Sequence, residues 1–426
     1  PDESESDGSP SRKSGWLDLS RVRIAINYQD EWSQMFREAW RLQKEFFWNE
    51  QLSGVDWNAV YRRYENLLSR IGSRSELSDL IWEMQGELGT SHAYEYGGDY
   101  PFSPQYPVGQ LGADLEYEPS RKAWVFRKIY RGDIWRVHQH SPLAEPGQQV
   151  QENDLLLEIG GVPLDGSTSP GELLVHQAGQ AVQLTVKTPG KKESKRKIIV
   201  KTLIHEGKTR YREWVKQNLK FVEARSEGRV GYLHIPDMDT EGIAEFHRGF
   251  LSQVDREGLI IDARFNAGGW VSPLVLEKLT HRHLGYDVPR WGSPESYPYH
   301  TLRGHLVLIT NQFTGSDGDM FTASFKQLKL GKVIGKRTWG GVVGIDGRYQ
   351  LVDGTTTTQP QYSIWFHHAG WSVENYGVDP DLVVEDPPQS YSNGMDHQLK
   401  QAVEVIQKIL EEDPLPKIQD FKSNSR

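Results

Sequence analysis

The stretch Leu306-Val307-Leu308-Ile309, followed by Phe313-Thr314-Gly315-Ser316-Asp317-Gly318-Asp319-Met320-Phe321, sets the reading of the chain. An unbroken apolar run reads as a buried strand. Glycines on both sides of Ser316 read as a tight turn, and Phe321-Thr322-Ala323-Ser324-Phe325 as the start of a helix. Strand, glycine turn and helix in that order can lift a serine hydroxyl clear of the backbone, with the N–H groups after it aimed at one spot. Ser316 is therefore a candidate nucleophile. Alone, Gly-Ser-Asp-Gly is also ordinary loop composition. Its weight rests on whether the chain supplies a base, an orienting group and an oxyanion hole.

The 426 residues suggest about two to four domains at ~100–200 residues each. Hydrophobic residues at 37% and charged residues at 25% allow a packed core and exclude wholesale disorder. A net charge of -9 argues against a nucleic-acid partner, which calls for a basic face. There is no cysteine, so no disulfide and no thiolate zinc site is expected, and no metal or cofactor is called for. No apolar run approaches ~18 residues, so no membrane span is expected. The start at Pro1, without a signal-peptide pattern, suggests a processed form or a fragment of a longer protein, with the cytoplasm as its expected location.

Along the chain, residues 1–15 are polar and read as a disordered leader. Residues 16–104 read as a helical core domain, with a helical pattern from about Val22 to Glu95. Trp32, Met35, Phe36, Ala39 and Trp40 recur at helical spacing, as do Leu77, Leu80, Ile81 and Met84. This stripe is helix-bundle core rather than a ligand box. Gly89 is a plausible helix stop, after which Ser91 and His92 fall in a loop or at a strand edge. Residues 105–206 alternate short strands and turns. Here Ser141-Pro142-Leu143 with Asp154 to Pro163 resembles a PDZ domain, and the turn Val108 to Ala113 loosely matches that family's carboxylate-binding loop. Such a loop gathers backbone N–H groups around a peptide C-terminus, while an inert β spacer is the plainer alternative. Lys187 to Lys201 reads as a solvated edge strand. Residues 207–388 alternate strands and helices, with glycine turns at strand ends, as in an α/β core. Tyr211 to Glu223 and Ser272 to Leu284 read as helices. Residues 389–426 hold one helix, about Asp396 to Glu411, and a polar tail.

Four pieces set together become specific: Gly89-Thr90-Ser91-His92-Ala93-Tyr94, Asn266-Ala267-Gly268-Gly269-Trp270-Val271-Ser272, Thr314-Gly315-Ser316-Asp317-Gly318-Asp319, and Val373-Glu374-Asn375-Tyr376-Gly377-Val378-Asp379-Pro380. Their order resembles the C-terminal half of the tricorn protease family, without that family's β-propeller domains. The resemblance implies a multidomain α+β and α/β protein. It would have a helical core domain, a PDZ-like β domain and a Clp-protease/crotonase-like α/β core domain. It implies a serine endopeptidase in which Ser316 attacks a peptide carbonyl and His92 is the base and later the acid. Ser91 would bridge His92 to Glu374, giving a Ser–His–Ser–Glu relay. The backbone N–H groups of Asp317 and of Gly268 or Gly269 would form the oxyanion hole. Gly269 is favoured because Gly-Gly-Trp ends the turn.

The nearest rivals share parts of this pattern. A tail-specific (C-terminal processing) protease pairs a PDZ domain with the same core but uses a serine–lysine dyad. Its lysine sits in a phrase resembling "rTfGKG", which here reads Arg337-Thr338-Trp339-Gly340-Gly341-Val342, with Gly341 in the lysine's place and Lys336 outside the phrase. A catalytically inactive PDZ-bearing peptide-binding adaptor is the non-enzymatic alternative. A crotonase-type acyl-CoA enzyme shares the fold but has no need of a Ser-His pair in a separate domain. The tricorn resemblance further implies oligopeptide substrates, a homo-oligomer (a hexamer) and downstream aminopeptidases as partners. It also implies an acidic residue favouring Lys or Arg before the scissile bond, a role that falls on Asp287.

Overall fold

The computed structural model describes residues 15, 17–19, 22–133, 136, 139–190 and 195–418. The leader expected over 1–15, apart from Gly15, lies outside them, as do Ile134, residues 191–194 of the basic stretch and the tail from 419. The described chain divides into two compact units. One holds 22–101 with Val343–Ile364, the other Phe102–Val342 with 365–418.

The first unit is built on α1 (Tyr28–Phe46), α2 (Trp57–Glu65) and α3 (Arg74–Gly86). The Asn27 side chain caps α1, and Asp30 and Glu31 in the first turn suit the positive end of the helix dipole. Helix therefore starts at Tyr28, not at Val22. Ser73 and Glu76 make a reciprocal capping box on α3. The apolar stripes bury Trp32, Met35, Phe36 and Ala39 together with Leu77, Ile81 and Met84. Each of the Met, Phe, Leu and Ile side chains among them contributes about 1.5–3 kcal/mol. Residues 343–364 read from sequence as part of a continuous core over 207–388, yet they pack here. Tyr349 and Leu351 join the same apolar cluster, and Thr356–Thr357 pairs antiparallel with Glu95–Tyr96. Buried Arg74 binds both Glu95 (2.8 Å) and Asp353 (2.7 Å), tying the two segments together by charge.

In the second unit, β1 (Ala113–Glu118), β2 (Ala123–Ile129), β3 (Leu155–Ile159), β4 (Ala181–Lys187) and β5 (Lys195–Lys201) form an antiparallel sheet in that order. Leu111, Phe126, Leu156, Leu184 and Val200 fill its core. The lysines of β5 stand exposed on an edge strand, as their alternation with apolar residues suggests.

The α/β part of that unit runs α4 (Gly207–Arg225), β6 (Val230–His234), α5 (Thr240–Gln253), β7 (Gly258–Asp262), α6 (Ser272–Thr280), β8 (His305–Thr310), α7 (Asp317–Gln327), β9 (Gly331–Gly335), β10 (Leu382–Val383) and α8 (His397–Glu412). The sheet is parallel, in the order β10-β9-β8-β7-β6. Leu259, Ile261 and Leu308 point to one face, against Phe246, Phe321 and Phe325. Ile260, Val307 and Ile309 point to the other, against Val222 and Ile406. Burial on both faces explains the unbroken apolar runs. Several elements differ from the sequence reading, among them a short helix Pro388–Ser392 where residues 389–426 are expected to hold one helix. Helix α7 begins at Asp317 rather than Phe321, because two aspartates suit a first turn. Helix α6 stops at Thr280, and a hairpin of Gly285–Asp287 with Glu295–Tyr297 follows. Helix α5 carries Gly242 and Gly249, which mask its propensity. Both glycines admit close packing: a Cβ at Gly242 would stand 1.7 Å from the Asp237 carbonyl oxygen. Among the described residues no helix is long and apolar enough to cross a membrane.

Candidate active site

The turns after β7 and β8 leave the carboxyl ends of adjacent parallel strands, where α/β sheets place their sites. After β8, Asn311 and Thr314 close a turn through a 3.0 Å backbone bond, and the Thr314 hydroxyl donates to the Ala263 carbonyl at 2.8 Å. Ser316 then sits at φ 55° and ψ −120° as the N-cap of α7. A non-glycine residue is held there at a cost of about 1–3 kcal/mol, which the surrounding packing must offset. A serine at an N-cap ordinarily spends its hydroxyl on the helix N–H groups. Ser316 makes no such bond, so its Oγ is withheld from capping.

The turn after β7 is knitted to the serine turn by Asn266, which is wholly buried. Its Nδ2 donates to the Ile235 carbonyl (2.9 Å), its Oδ1 accepts the Gly268 N–H (3.0 Å), and its own carbonyl accepts the Gly315 N–H (3.0 Å). Gly268 lies at φ 82°, and a Cβ there would stand 2.5 Å from the Ser316 Cβ, so only glycine lets the two turns meet. Its carbonyl accepts the Met238 N–H at 2.7 Å. Both polar groups of Gly268 are therefore engaged. The Gly269 N–H meets no acceptor among the described residues, and Met238 receives the Trp270 N–H beyond it at 2.7 Å. The N–H of Asp317 belongs to the first turn of α7, which the helix leaves without an internal acceptor. The Asp317 carboxylate is buried and binds the Ser272 N–H (2.8 Å) and hydroxyl, anchoring α7 to the start of α6. Burial raises its pKa.

Asp319 is also wholly buried. It accepts the Gly340 N–H (2.9 Å) and Gly341 N–H (3.3 Å), and the Thr338 side chain and the Ser316 backbone favour its charged form. Burial pushes its carboxyl up to about 6. Gly341, where a lysine would mark the rival family, lies against Trp339: a Cβ there would stand 2.3 Å from the indole ring. The next residue, Val342, donates its N–H to the Glu374 carboxylate at 2.7 Å. The Asn375 N–H returns to the Gly340 carbonyl at 2.7 Å, and Val378 and Thr338 bond through N–H and hydroxyl at 2.8 Å. Below the glycine turn, buried Arg264 pairs with Asp262 (2.7 Å) and with Asp396, the N-cap of α8 (2.8 Å).

The Ser91-His92 pair belongs to the other unit. His92 is buried at φ 64°, and its Nδ1 lies 2.8 Å from the Ser91 Oγ. Thr358 fixes this loop: its hydroxyl donates to the His92 carbonyl (2.6 Å) and accepts the Tyr94 N–H (2.8 Å). The structure thus brings Ser316, Asp317, Gly268 and Gly269 together, and ties Glu374 to Val342, two residues beyond the Gly340 that binds Asp319. It pairs Ser91 with His92. Asp287 lies exposed on the hairpin, directly opposite Glu295, and none of the hydrogen bonds around Ser316 among the described residues reaches it. Asp287 and Glu295 together raise the Tyr299 hydroxyl pKa, a sign of like charges side by side. Asn266, Asp319 and Thr358 were not singled out as site residues from sequence. Asn266 stood within a quoted motif, whereas Thr358 carried no signal beyond the threonine run 355–358.

The carboxylate-binding reading of Val108 to Ala113 meets a different arrangement. The Gly109 N–H donates to the Leu174 carbonyl (2.8 Å) and the Gln110 N–H to that of Leu203 (2.9 Å). The Gly112 N–H donates to the Glu206 carboxylate at 3.2 Å. Arg210 holds Glu206 in turn (2.7 Å) and reaches Asp114 of β1 (2.8 Å). The N–H groups of Gly109, Gln110 and Gly112 are thus spent on the chain itself.

Residues 28–86 match the family described as Tricorn protease C1 domain, 109–205 that described as Tricorn protease PDZ domain, and 229–384 that described as Peptidase family S41. The chain is similar to a tricorn protease homolog of Saccharolobus solfataricus, 46% identical over 404 residues, covering 94% of this chain and 37% of the relative. It is also similar to a putative tricorn-like protease C-terminal subunit of Sulfurisphaera tokodaii, 45% identical over 403 residues, covering 94% and 46%. Among solved structures it is similar to a crystal structure of the tricorn protease, with a TM-score of 0.88 and 39% identity, covering 93% of this chain and 38% of that one. The chain spans less than half the length of these relatives. With C1, PDZ and S41 peptidase domains following one another over a fold of this likeness, the chain belongs to the tricorn protease family.

Proposed function

We propose that the chain is a serine endopeptidase acting on oligopeptides through an acyl-enzyme. The observation that carries this reading is Ser316, held at φ 55° at a helix N-terminus with its hydroxyl withheld from capping. In this reading the Ser316 Oγ attacks the peptide carbonyl and forms the C–O bond while His92 takes the hydroxyl proton. The oxyanion is received by the N–H groups of Gly269 and Asp317, each worth roughly 3–4 kcal/mol at the transition state. The spent N–H of Gly268 favours Gly269 as the donor. The C–N bond then breaks and His92 returns the proton to the leaving amine. Water attacks the acyl carbon, gives its proton to His92, and the acid departs with Ser316 restored. Ser91, bonded to His92 Nδ1, holds the imidazole tautomer and passes its own hydroxyl proton toward Glu374. The crowding of Gly341 by Trp339 weighs against a serine–lysine dyad.

The finer assignments belong to the same proposal. Asp287, with Glu295 beside it, provides negative charge that would favour Lys or Arg before the scissile bond. A homo-oligomer, a hexamer by family likeness, works in the cytoplasm and feeds shorter peptides to aminopeptidases. The test is Ser316→Ala and His92→Ala on a fluorogenic peptide, with active-site labelling by a fluorophosphonate. Each variant is expected to lose ~10⁴-fold or more in kcat, and the label to sit on Ser316. Wild-type activity in either variant overturns the proposal. Equal cleavage after Leu and after Arg across a peptide panel removes the specificity assignment alone.

A further inference from the structure

Helix α7 begins with the residue positions of a capping box. In the full motif the N-cap serine hydroxyl binds the N3 backbone N–H, and the N3 carboxylate binds the N-cap N–H. Here Ser316 is the N-cap and Asp319 is N3. The Ser316 backbone favours the charged form of the Asp319 carboxylate, as the second half of such a box would, while the serine side chain makes no cap bond. The same carboxylate binds Gly340 and Gly341, directly before Val342, whose N–H seats Glu374.

We propose that Asp319 is a positioning residue which holds Ser316 in its strained conformation with the hydroxyl free for chemistry, and which fixes the 338–342 segment that seats Glu374. The inference rests on Ser316 being the nucleophile. A carboxylate is required because every group it meets is a donor: the N–H of Ser316, Gly340 and Gly341, and the Thr338 hydroxyl. An amide of the same shape would turn its NH₂ toward one of those donors. Without the brace, Ser316 is free to relax toward an ordinary N-cap, with its hydroxyl donated to the helix.

The test is Asp319→Asn, with Thr338→Val as a milder second variant, in the full chain. Rates of Ser316 labelling by a fluorophosphonate and steady-state kinetics on a short peptide are both normalised to labelled sites. Asp319→Asn is expected to lower kcat and the labelling rate by about 10²-fold, the scale of a misplaced reacting group, with KM little changed and the label still on Ser316. Thr338→Val removes a hydroxyl that favours the charged carboxylate and accepts the Val378 N–H, and is expected to cost about tenfold. A merely structural role would reduce the number of labelled sites and leave the rate per site untouched. Wild-type rates per site in the variants, with wild-type protein labelled on Ser316, overturn the role of Asp319 alone. Wild-type protein labelled elsewhere overturns the nucleophile reading and this inference with it.

Discussion

The turn Gly109-Gln110-Leu111-Gly112 and the turn Asn266-Ala267-Gly268-Gly269 both place glycines where backbone N–H groups can gather round an anion. In the first, the donors of Gly109, Gln110 and Gly112 are taken by Leu174, Leu203 and Glu206. In the second, Asn266 takes the Gly268 N–H and leaves the next one along. The difference does not lie in the turns. It lies in acceptors that arrive from distant parts of the chain. Glycine spacing can say that a nest is possible, but not whether the chain has already filled it.

The largest expected contrast between the two turns comes from adding one methyl group to each. Gly268→Ala puts a Cβ 2.5 Å from the Ser316 Cβ and is expected to lower kcat by about 10²–10³-fold. Gly112→Ala meets Ser141 at 2.9 Å and is expected to leave kcat on a short peptide within about twofold, since it disturbs the β domain away from the reacting groups. Comparable losses in both variants would erase the distinction. Asn266→Ala comes next. It orphans the Gly268 N–H and the Ile235 carbonyl, at roughly 1–3 kcal/mol for each buried group, so a fall of several degrees in melting temperature should accompany reduced kcat. Unchanged melting would show that Asn266 braces nothing. For the β domain, wild-type protein is expected to show no saturable binding of a peptide with a free C-terminus up to ~1 mM by calorimetry. Glu206→Ala should uncover the Gly112 N–H and create binding that an amidated peptide lacks. Wild-type binding that depends on the free carboxylate would return this loop to the ordinary PDZ mode.

The smallest expected effect is a pH dependence. Burial holds the Asp319 carboxyl at about 6, against ~3.9 in an unfolded chain. The folded state keeps this proton after the unfolded state has lost it. The stabilising contribution is therefore complete below ~pH 4 and is lost as pH rises through about 6. Thermal melts should show the advantage of wild type over Asp319→Asn shrinking between ~pH 4 and ~pH 7, by at most roughly 3 kcal/mol. An advantage that grows with pH would contradict the burial described for this carboxylate.

Much of this molecule is legible in its sequence. The apolar runs at Leu306 and Leu259 read as strands buried on both faces, and the stripes from Trp32 and Leu77 as helix faces. Ser316, Gly268 and Gly269 stood out because each needs a special backbone, and special backbones leave glycines in the sequence. Local reading fails where a partner is far away. Nothing near Thr358 says that it holds His92, and nothing near Leu351 says that it packs with α1. In the sequence, Asp317 and Asp319 both lie in the turn before the helix expected from Phe321, with nothing to tell them apart. Only the arrival of Gly340 and Gly341 at the Asp319 carboxylate separates it from Asp317, which turns to Ser272 instead.

The placement of Val343–Ile364 in the helical unit has a consequence in time. The hydrogen bond from Thr358 to the His92 carbonyl spans 266 residues. At about 5–20 residues per second, on the order of ten to fifty seconds of synthesis separate the histidine from the residue that holds its loop. The residues of the serine turn are synthesised before then. A nascent chain therefore carries its serine turn before the histidine loop can be fixed, and the His92 bond to Thr358 forms only once the chain has grown past the serine and back to the first unit.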